Sequence, residues 1–204
     1  MTADGAGRAN QKLRTRTAIV EAARELVRSG APVTMPEVAR AALVSEVTAY
    51  RYFPDLPALL NEVIASLWPS PAEALQPVAG SGDPVERVAF ACEVLLGGVA
   101  AYQGGVRAMI AATAGKPALA RSRPGIRFEL IDLALEPLRP APGAPDPDAL
   151  VQLKRELAVV ISAESLFCLT DRLGLETGDA IACIVRMAAT LTAAAAGDRS
   201  AAVS

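Results

Sequence analysis

From Ile19 onward, Ile19, Ala22, Ala23, Leu26 and Val27 fall at i, i+3, i+4, i+7 and i+8, the spacing that lays one apolar stripe along an α-helix. Nowhere do Val and Ile alternate with polar residues over a strand's length, so a sheet has no pattern to form on. Such helices must bury their stripes against one another. The composition agrees: it is rich in Ala and Leu and only 4% aromatic, and small or unbranched side chains suit close-packed helices. The expectation is an all-α chain. Its 204 residues are enough for one or two small domains with a proper core.

Punctuation divides the pattern into about nine helices. The first is predicted from about Lys12 to Ser29, with Glu21, Arg24, Glu25 and Arg28 spaced for ion pairs on its outer face. Gly30 offers a left-handed cap and Pro32 prevents continuation. Thr34-Met35-Pro36-Glu37 reads as a capping box, so a second, short helix starts near Met35. Ala42-Leu43-Val44 connects it to Ser45, an N-cap for a third helix from Glu46 to about Tyr52 that Pro54 stops. Asp55 caps a fourth, with Leu59, Leu60, Val63, Ile64 and Leu67 inward. Two short helices across a tight turn, braced by a longer one, make a helix-turn-helix.

Pro69, Pro71 and Pro77, with Gly80 and Gly82, then break the period and place a domain boundary, giving residues 1–68 and 69–204. Ser70-Pro71-Ala72-Glu73 can cap one extra turn inside this break. Helices follow from Asp83-Pro84 to about Tyr102, past a bend at Gly104-Gly105 to Ala114, and from Pro124 to Leu138. Arg139 to Pro147 is rich in proline and reads as an exposed loop. The eighth helix runs from Asp148 to about Leu173 and the ninth from about Thr177 to Ala196, ended by Gly174 and Gly197.

Several kinds of chemistry are excluded. The chain has no histidine, which removes hydrolases built on Ser/His or Cys/His pairs and the commonest metal ligand. Cys92, Cys168 and Cys183 sit scattered in apolar helical sequence and read as core thiols, without disulfide or zinc spacing. No cofactor, metal site or enzyme activity is expected. The N-terminus lacks a signal-peptide core, and the apolar stretch from Val88 to Ala101 is interrupted by Glu93 and too short for a bilayer. The expected location is cytoplasmic, with no membrane partner. Net charge is −2, yet Arg8, Lys12, Arg14 and Arg16 cluster without an acid among them, while acids outnumber bases beyond Leu56. A basic arm on an acidic body suits a protein that meets phosphate at one end, although Met1 to Arg8 also reads as a disordered tail.

The segment Thr34 to Leu60, TMPEVARAALVSEVTAYRYFPDLPALL, resembles the helix-turn-helix of the tetracycline-repressor (TetR) family. The match lies in the threonine cap, the turn before Val44-Ser45, Thr48, the run Tyr50-Arg51-Tyr52-Phe53, and Leu59-Leu60. It extends over about Leu13 to Ile64, and beyond that only helix order and length agree. The resemblance implies an N-terminal DNA-binding domain and a C-terminal helical domain for ligand binding and dimerisation. It implies a regulator, usually a repressor, released from a pseudo-palindromic DNA operator by a small-molecule effector. Thr34 caps the motif; Ser45, Thr48, Tyr50 and Tyr52 are then phosphate or sugar contacts. Arg51 suits guanine, Glu46 a cytosine amino group and Val47 a thymine methyl. Phe53 belongs to the core. The family's usual glycines are replaced, at positions assigned to Ala42 and Val47, and its basic residue at the start of the fourth helix by Leu56. These departures imply weaker, more salt-sensitive binding that leans on Lys12, Arg14 and Arg16.

For the effector pocket, the resemblance points to Trp68, Phe90, Tyr102, Met109, Phe128 and Phe167, each of which also reads as core. Glu164 and Glu93 interrupt apolar runs and require pairing, exposure or a ligand. Arg172 and Arg186 are available partners for Glu164. The eighth and ninth helices, apolar on more than one face, suit a homodimer through a four-helix bundle. The alternative is a helical ligand- or protein-binding module with a vestigial helix-turn-helix.

Overall fold

The computed structural model describes residues 3–138 and 147–201, and every regular element among them is helical. The expected loop from Arg139 to Pro147 lies almost wholly outside the described residues. Twelve α-helices are present among the described residues: α1 (Ala3–Ser29), α2 (Met35–Ala41), α3 (Glu46–Tyr52), α4 (Leu56–Ala65), α5 (Pro71–Ala74), α6 (Pro84–Ala101), α7 (Gln103–Thr113), α8 (Pro117–Arg121), α9 (Ile126–Ala134), α10 (Pro147–Val160), α11 (Ala163–Phe167) and α12 (Thr177–Ala201). The three beyond the expected nine are short: α5, α8 and α11.

Two units group these helices. The first comprises the chain up to Trp68 together with Ala101–Pro124, and the second comprises Pro69–Ala100 together with residues from Gly125 on. A boundary drawn only after Trp68 does not anticipate that 101–124 joins the N-terminal helices. The reason is packing. Met109 of α7 is 3% exposed within a core built from Ile19, Ala23, Val27, Val38, Ala49, Phe53, Leu59, Leu60 and Val63. Gly105 of α7 lies so close to α1 that a Cβ there would sit 2.7 Å from a methyl of Val27. Its role is close approach, not a bend; the break precedes it, at Tyr102.

Helix α1 starts well before Lys12 and includes part of the stretch expected to be a tail. Ala3, Ala6 and Arg8 favour a helix while Gly5 and Gly7 do not, and the packed turns from Ile19 on supply the nucleus from which the helix extends. Thr34 caps α2 by accepting from the Glu37 N–H at 3.3 Å. The Glu37 carboxylate pairs with Arg40. The complete capping box is at α5: Ser70 accepts from Glu73 N–H at 3.3 Å, and Glu73 accepts from the Ser70 N–H at 3.0 Å. The Ser70 hydroxyl, then its N–H, holds the Glu73 carboxyl below its ordinary pKa.

In the second unit α10 and α12 pack together. Ala180, Ile184, Ala188 and Thr192 of α12 are buried, four apart, and thus form one stripe. The expected continuous helix from Asp148 to Leu173 is divided. Ser162 is extended (φ −142°, ψ 154°) and caps α11, and a π-helical turn, Cys168–Arg172, follows. Gly174 (φ 68°) takes the left-handed conformation after it. Helix α12 continues through Gly197 to Ala201; glycine lowers helix propensity but does not forbid a turn. Within it Thr177–Gly197, not Val88–Ala101, is long and apolar enough to cross a membrane, and 22% of that span is buried.

Candidate nucleic-acid interface

The turn between α2 and α3 decides where the third helix points. Its left-handed residue is Leu43 (φ 54°), so the position that favours glycine is Leu43 and not Ala42, which is helical (φ −79°). The Val44 N–H donates to Ala39 O at 3.0 Å, the long closing bond of a Schellman turn. Ser45 then caps α3, accepting from Thr48 N–H at 3.2 Å, with the two hydroxyls 3.0 Å apart. Ala49 and Phe53 are buried, which fixes the roll of α3 and turns its other face outward. The Asp55 carboxylate caps α4 through the Ala58 N–H at 2.8 Å.

The outward face carries Glu46, Val47, Tyr50 and Arg51, all exposed, with Val47 at 78% and Tyr50 at 47%. Thr48 and Tyr52 are half-buried. The Arg51 guanidinium carbon lies 5.7 Å from the Tyr52 ring centre. Lys12 and Thr15 of α1 line one open depression with Ser45, Thr48, Arg51 and Tyr52. An ammonium, a guanidinium, the Ser45 and Thr48 hydroxyls and a phenol therefore converge where α1 passes α3, while the Thr15 hydroxyl donates to Gln11 O at 3.0 Å. Such a donor set matches phosphate oxygens on a duplex. Arg14 is exposed.

Arg16 stands apart from this set. Its two terminal nitrogens donate to the two carboxylate oxygens of Glu62 at 2.7 and 2.5 Å. Leu56 is half-buried and packs against the core of the first unit, so an apolar residue there has a packing role. Thr34 is exposed and occupied as a cap.

The residues expected to line an effector pocket are divided between the two units. Met109 is core, and Trp68 and Tyr102, also of the first unit, meet edge-to-face with ring centres 5.3 Å apart. In the second unit Phe128 is 52% exposed, Phe90 and Phe167 are half-buried, and Glu164 is exposed. Glu164 lines a shallow depression with Arg127, Ser162, Ser165 and Cys168. Two buried polar atoms of the first unit, Trp68 Nε1 and Asn61 Oδ1, have no hydrogen-bond partner. Cys92 is buried, and burial, reinforced by Glu93, pushes its thiol up to about 12, which keeps it protonated and inert. Cys168, by contrast, is exposed and Cys183 half-exposed; neither is the core thiol expected. Glu93 resolves its apolar run by exposure.

Sequence reasoning missed the Arg16–Glu62 pair because its partners are 46 residues apart and nothing local announces them.

Residues 19–63 match the family described as bacterial regulatory proteins, tetR family. No curated protein matches the chain significantly. Among solved structures, the chain is similar to a TetR transcriptional regulator from Rhodococcus sp. RHA1, with 23% identity and a TM-score of 0.54, over 89% of this chain and 97% of that one. At this identity the likeness speaks to the fold. The segment from the packed part of α1 through α2, α3 and most of α4 is therefore a helix-turn-helix of the tetR type.

Proposed function

We propose that this protein is a transcriptional regulator of the tetR kind, a homodimeric repressor that holds a pseudo-palindromic DNA operator and is released by a small-molecule effector. One observation carries the DNA reading. Lys12 from α1 and Ser45, Thr48, Arg51 and Tyr52 from the α3 region share one depression beside the outward face of α3. In this reading phosphate contacts from such groups set register, and Glu46, Val47 and Arg51, exposed on α3, meet base edges. Tyr50 and Arg14 extend the donor set on either side, and Thr34 holds the motif's first helix.

Dimerisation is supported by α12. Val160 of α10 and Cys183, Arg186, Met187, Thr190 and Leu191 of α12 line a largely apolar depression on the second unit, and a second copy of the same face would cover it. Two reading helices then address half-sites about 34 Å apart. For the effector, the unpartnered Nε1 of Trp68 and the Arg127–Glu164 depression are the features that support a polar, small-molecule ligand.

The test is to incubate the protein with fragmented genomic DNA from its source and sequence what is retained. An enriched inverted repeat is the expected result, with log affinity falling linearly in log salt. No enrichment at low salt would sink the reading and leave a ligand- or protein-binding role. Release is then tested on the enriched duplex. A compound that weakens duplex binding must itself bind more weakly, by the same factor, when the duplex is present.

A further inference from the structure

We propose that Arg16 acts as a positioning residue for α3 and not as a phosphate contact, which refines the DNA reading above and rests on it. The geometry is specific. Arg16 lies on α1 just before Ile19, the first fully buried residue of the first unit's core. Its fork meets the Glu62 carboxylate of α4 with two hydrogen bonds, 2.7 and 2.5 Å. Its guanidinium carbon also sits 5.0 Å from the centre of the Phe53 ring. Phe53 is the C-cap of α3, its N–H donating to Ala49 O at 3.0 Å, and it is 3% exposed.

One side chain thus ties three helices. The edge of the guanidinium is held by α4, its face by the residue that ends the reading helix, and its stem by α1. A planar fork does this and an ammonium does not. The cation faces an aromatic ring it can attract, and Glu62 neutralises its charge locally. A cation already paired with a carboxylate releases few counterions when DNA arrives. Lys12 and Arg14, exposed on the same helix, are the residues left to do so.

The two roles differ in the sign of one measurement. If Arg16 gripped phosphate, removing the Glu62 charge would free it and tighten DNA binding. If Arg16 positions α3, removing that charge loosens the tie and weakens recognition. The experiment uses the full-length protein, the enriched duplex and a random duplex of equal length. Wild type, Arg16→Ala, Arg16→Lys, Glu62→Gln and Lys12→Ala are compared over a range of salt, after circular dichroism shows each folded at the assay temperature.

Arg16→Ala, Arg16→Lys and Glu62→Gln are each expected to lose about tenfold on the enriched duplex. They keep the random-duplex affinity and the salt slope. The double variant Arg16→Ala/Glu62→Gln loses no more than either single one, as expected of one shared interaction. Lys12→Ala instead lowers affinity on both duplexes and reduces the slope by about 1. Tighter binding by Glu62→Gln, or a slope reduced by about 1 in Arg16→Ala, overturns the proposal. So does an equal loss on both duplexes, which is what a merely structural role gives, or wild-type affinity in both single variants. Failure of the wild type to enrich any duplex overturns the DNA reading, and the proposal with it, before any variant is compared.

Discussion

Leu43 carries backbone strain at the turn that aims the reading helix. At φ 54° its Cβ crowds the following carbonyl, a cost of about 1–2 kcal/mol for an L-residue. Its side chain is 93% exposed, so packing returns almost nothing. Leu43→Gly is therefore expected to stabilise the protein. The relief exceeds the roughly 0.5–1 kcal/mol by which glycine's extra freedom favours the unfolded chain, leaving a net gain of about 0.5–1 kcal/mol. Urea denaturation measures it, and an unchanged or lower midpoint would show that the turn bears no strain. At this scale the caps that build the motif are legible in the sequence. Thr34, Ser45 and Asp55 cap their helices as read, because a cap needs only the residues that follow it. The same locality misplaced the glycine position at Ala42, since helix propensity does not reveal which residue of a turn reverses its hand. In the sequence Arg16 is one more basic residue of an arm, since the carboxylate it pairs with lies on another helix.

Among the elements, the second unit is stitched by a side chain that the periodicity treats as ordinary. Arg87 of α6 is 5% exposed. It donates through Nη2 to Leu133 O at 2.7 Å and through Nε to Ala134 O at 3.2 Å, at the end of α9, where carbonyls lack helical partners. It also reaches Val78 O and Ala79 O at 3.2 and 3.0 Å, beside the 3-10 turn Gln76–Val78. Three elements meet at one guanidinium, and a cation at a helix C-terminus opposes the negative end of its dipole. Arg87→Met preserves much of the stem but leaves these carbonyls without their donor. A loss of about 2–4 kcal/mol is expected, read as a lower denaturant midpoint with an unchanged slope. A loss below about 0.5 kcal/mol would mean that water replaces the guanidinium without cost. The long helices themselves were legible because their stripes repeat over many turns. Three features were not: the division at Ser162, the π turn after Phe167, and the placing of Ala101–Pro124 with the first unit. The last is decided by neighbours distant in sequence: Val27 of α1 lies against Gly105, and Met109 enters the first unit's core.

For the molecule as a whole, the surface of the second unit sets the strongest demand. Val159 of α10 is 72% exposed, Val151 44% and Met187 of α12 40%. Only 22% of the apolar span Thr177–Gly197 is buried; Ile181, Val185 and Leu191 are half-buried and Met187 is exposed, so an apolar strip remains open in a single chain. Two coverings satisfy such a surface, a bilayer or a second copy. The span carries Asp179 and Arg186, and a charge deep in a lipid-facing helix costs about 2.5–3.5 kcal/mol even by insertion scales. A second copy imposes no such penalty, since a protein interface leaves charges access to water or to polar partners. Met187→Arg separates the cases. The exposed position admits the long side chain in a lone subunit, but two copies would set two guanidinium groups against each other. Sedimentation is expected to show a dimer for wild type at tens of micromolar and a folded monomer for the variant. Because one subunit then holds one half-site, affinity for the enriched repeat should fall about 10²-fold or more, the factor that linkage of two sites supplies. A variant that stays dimeric would move the interface off α12. A variant that is monomeric yet binds the repeat unchanged would show that each subunit reads DNA alone.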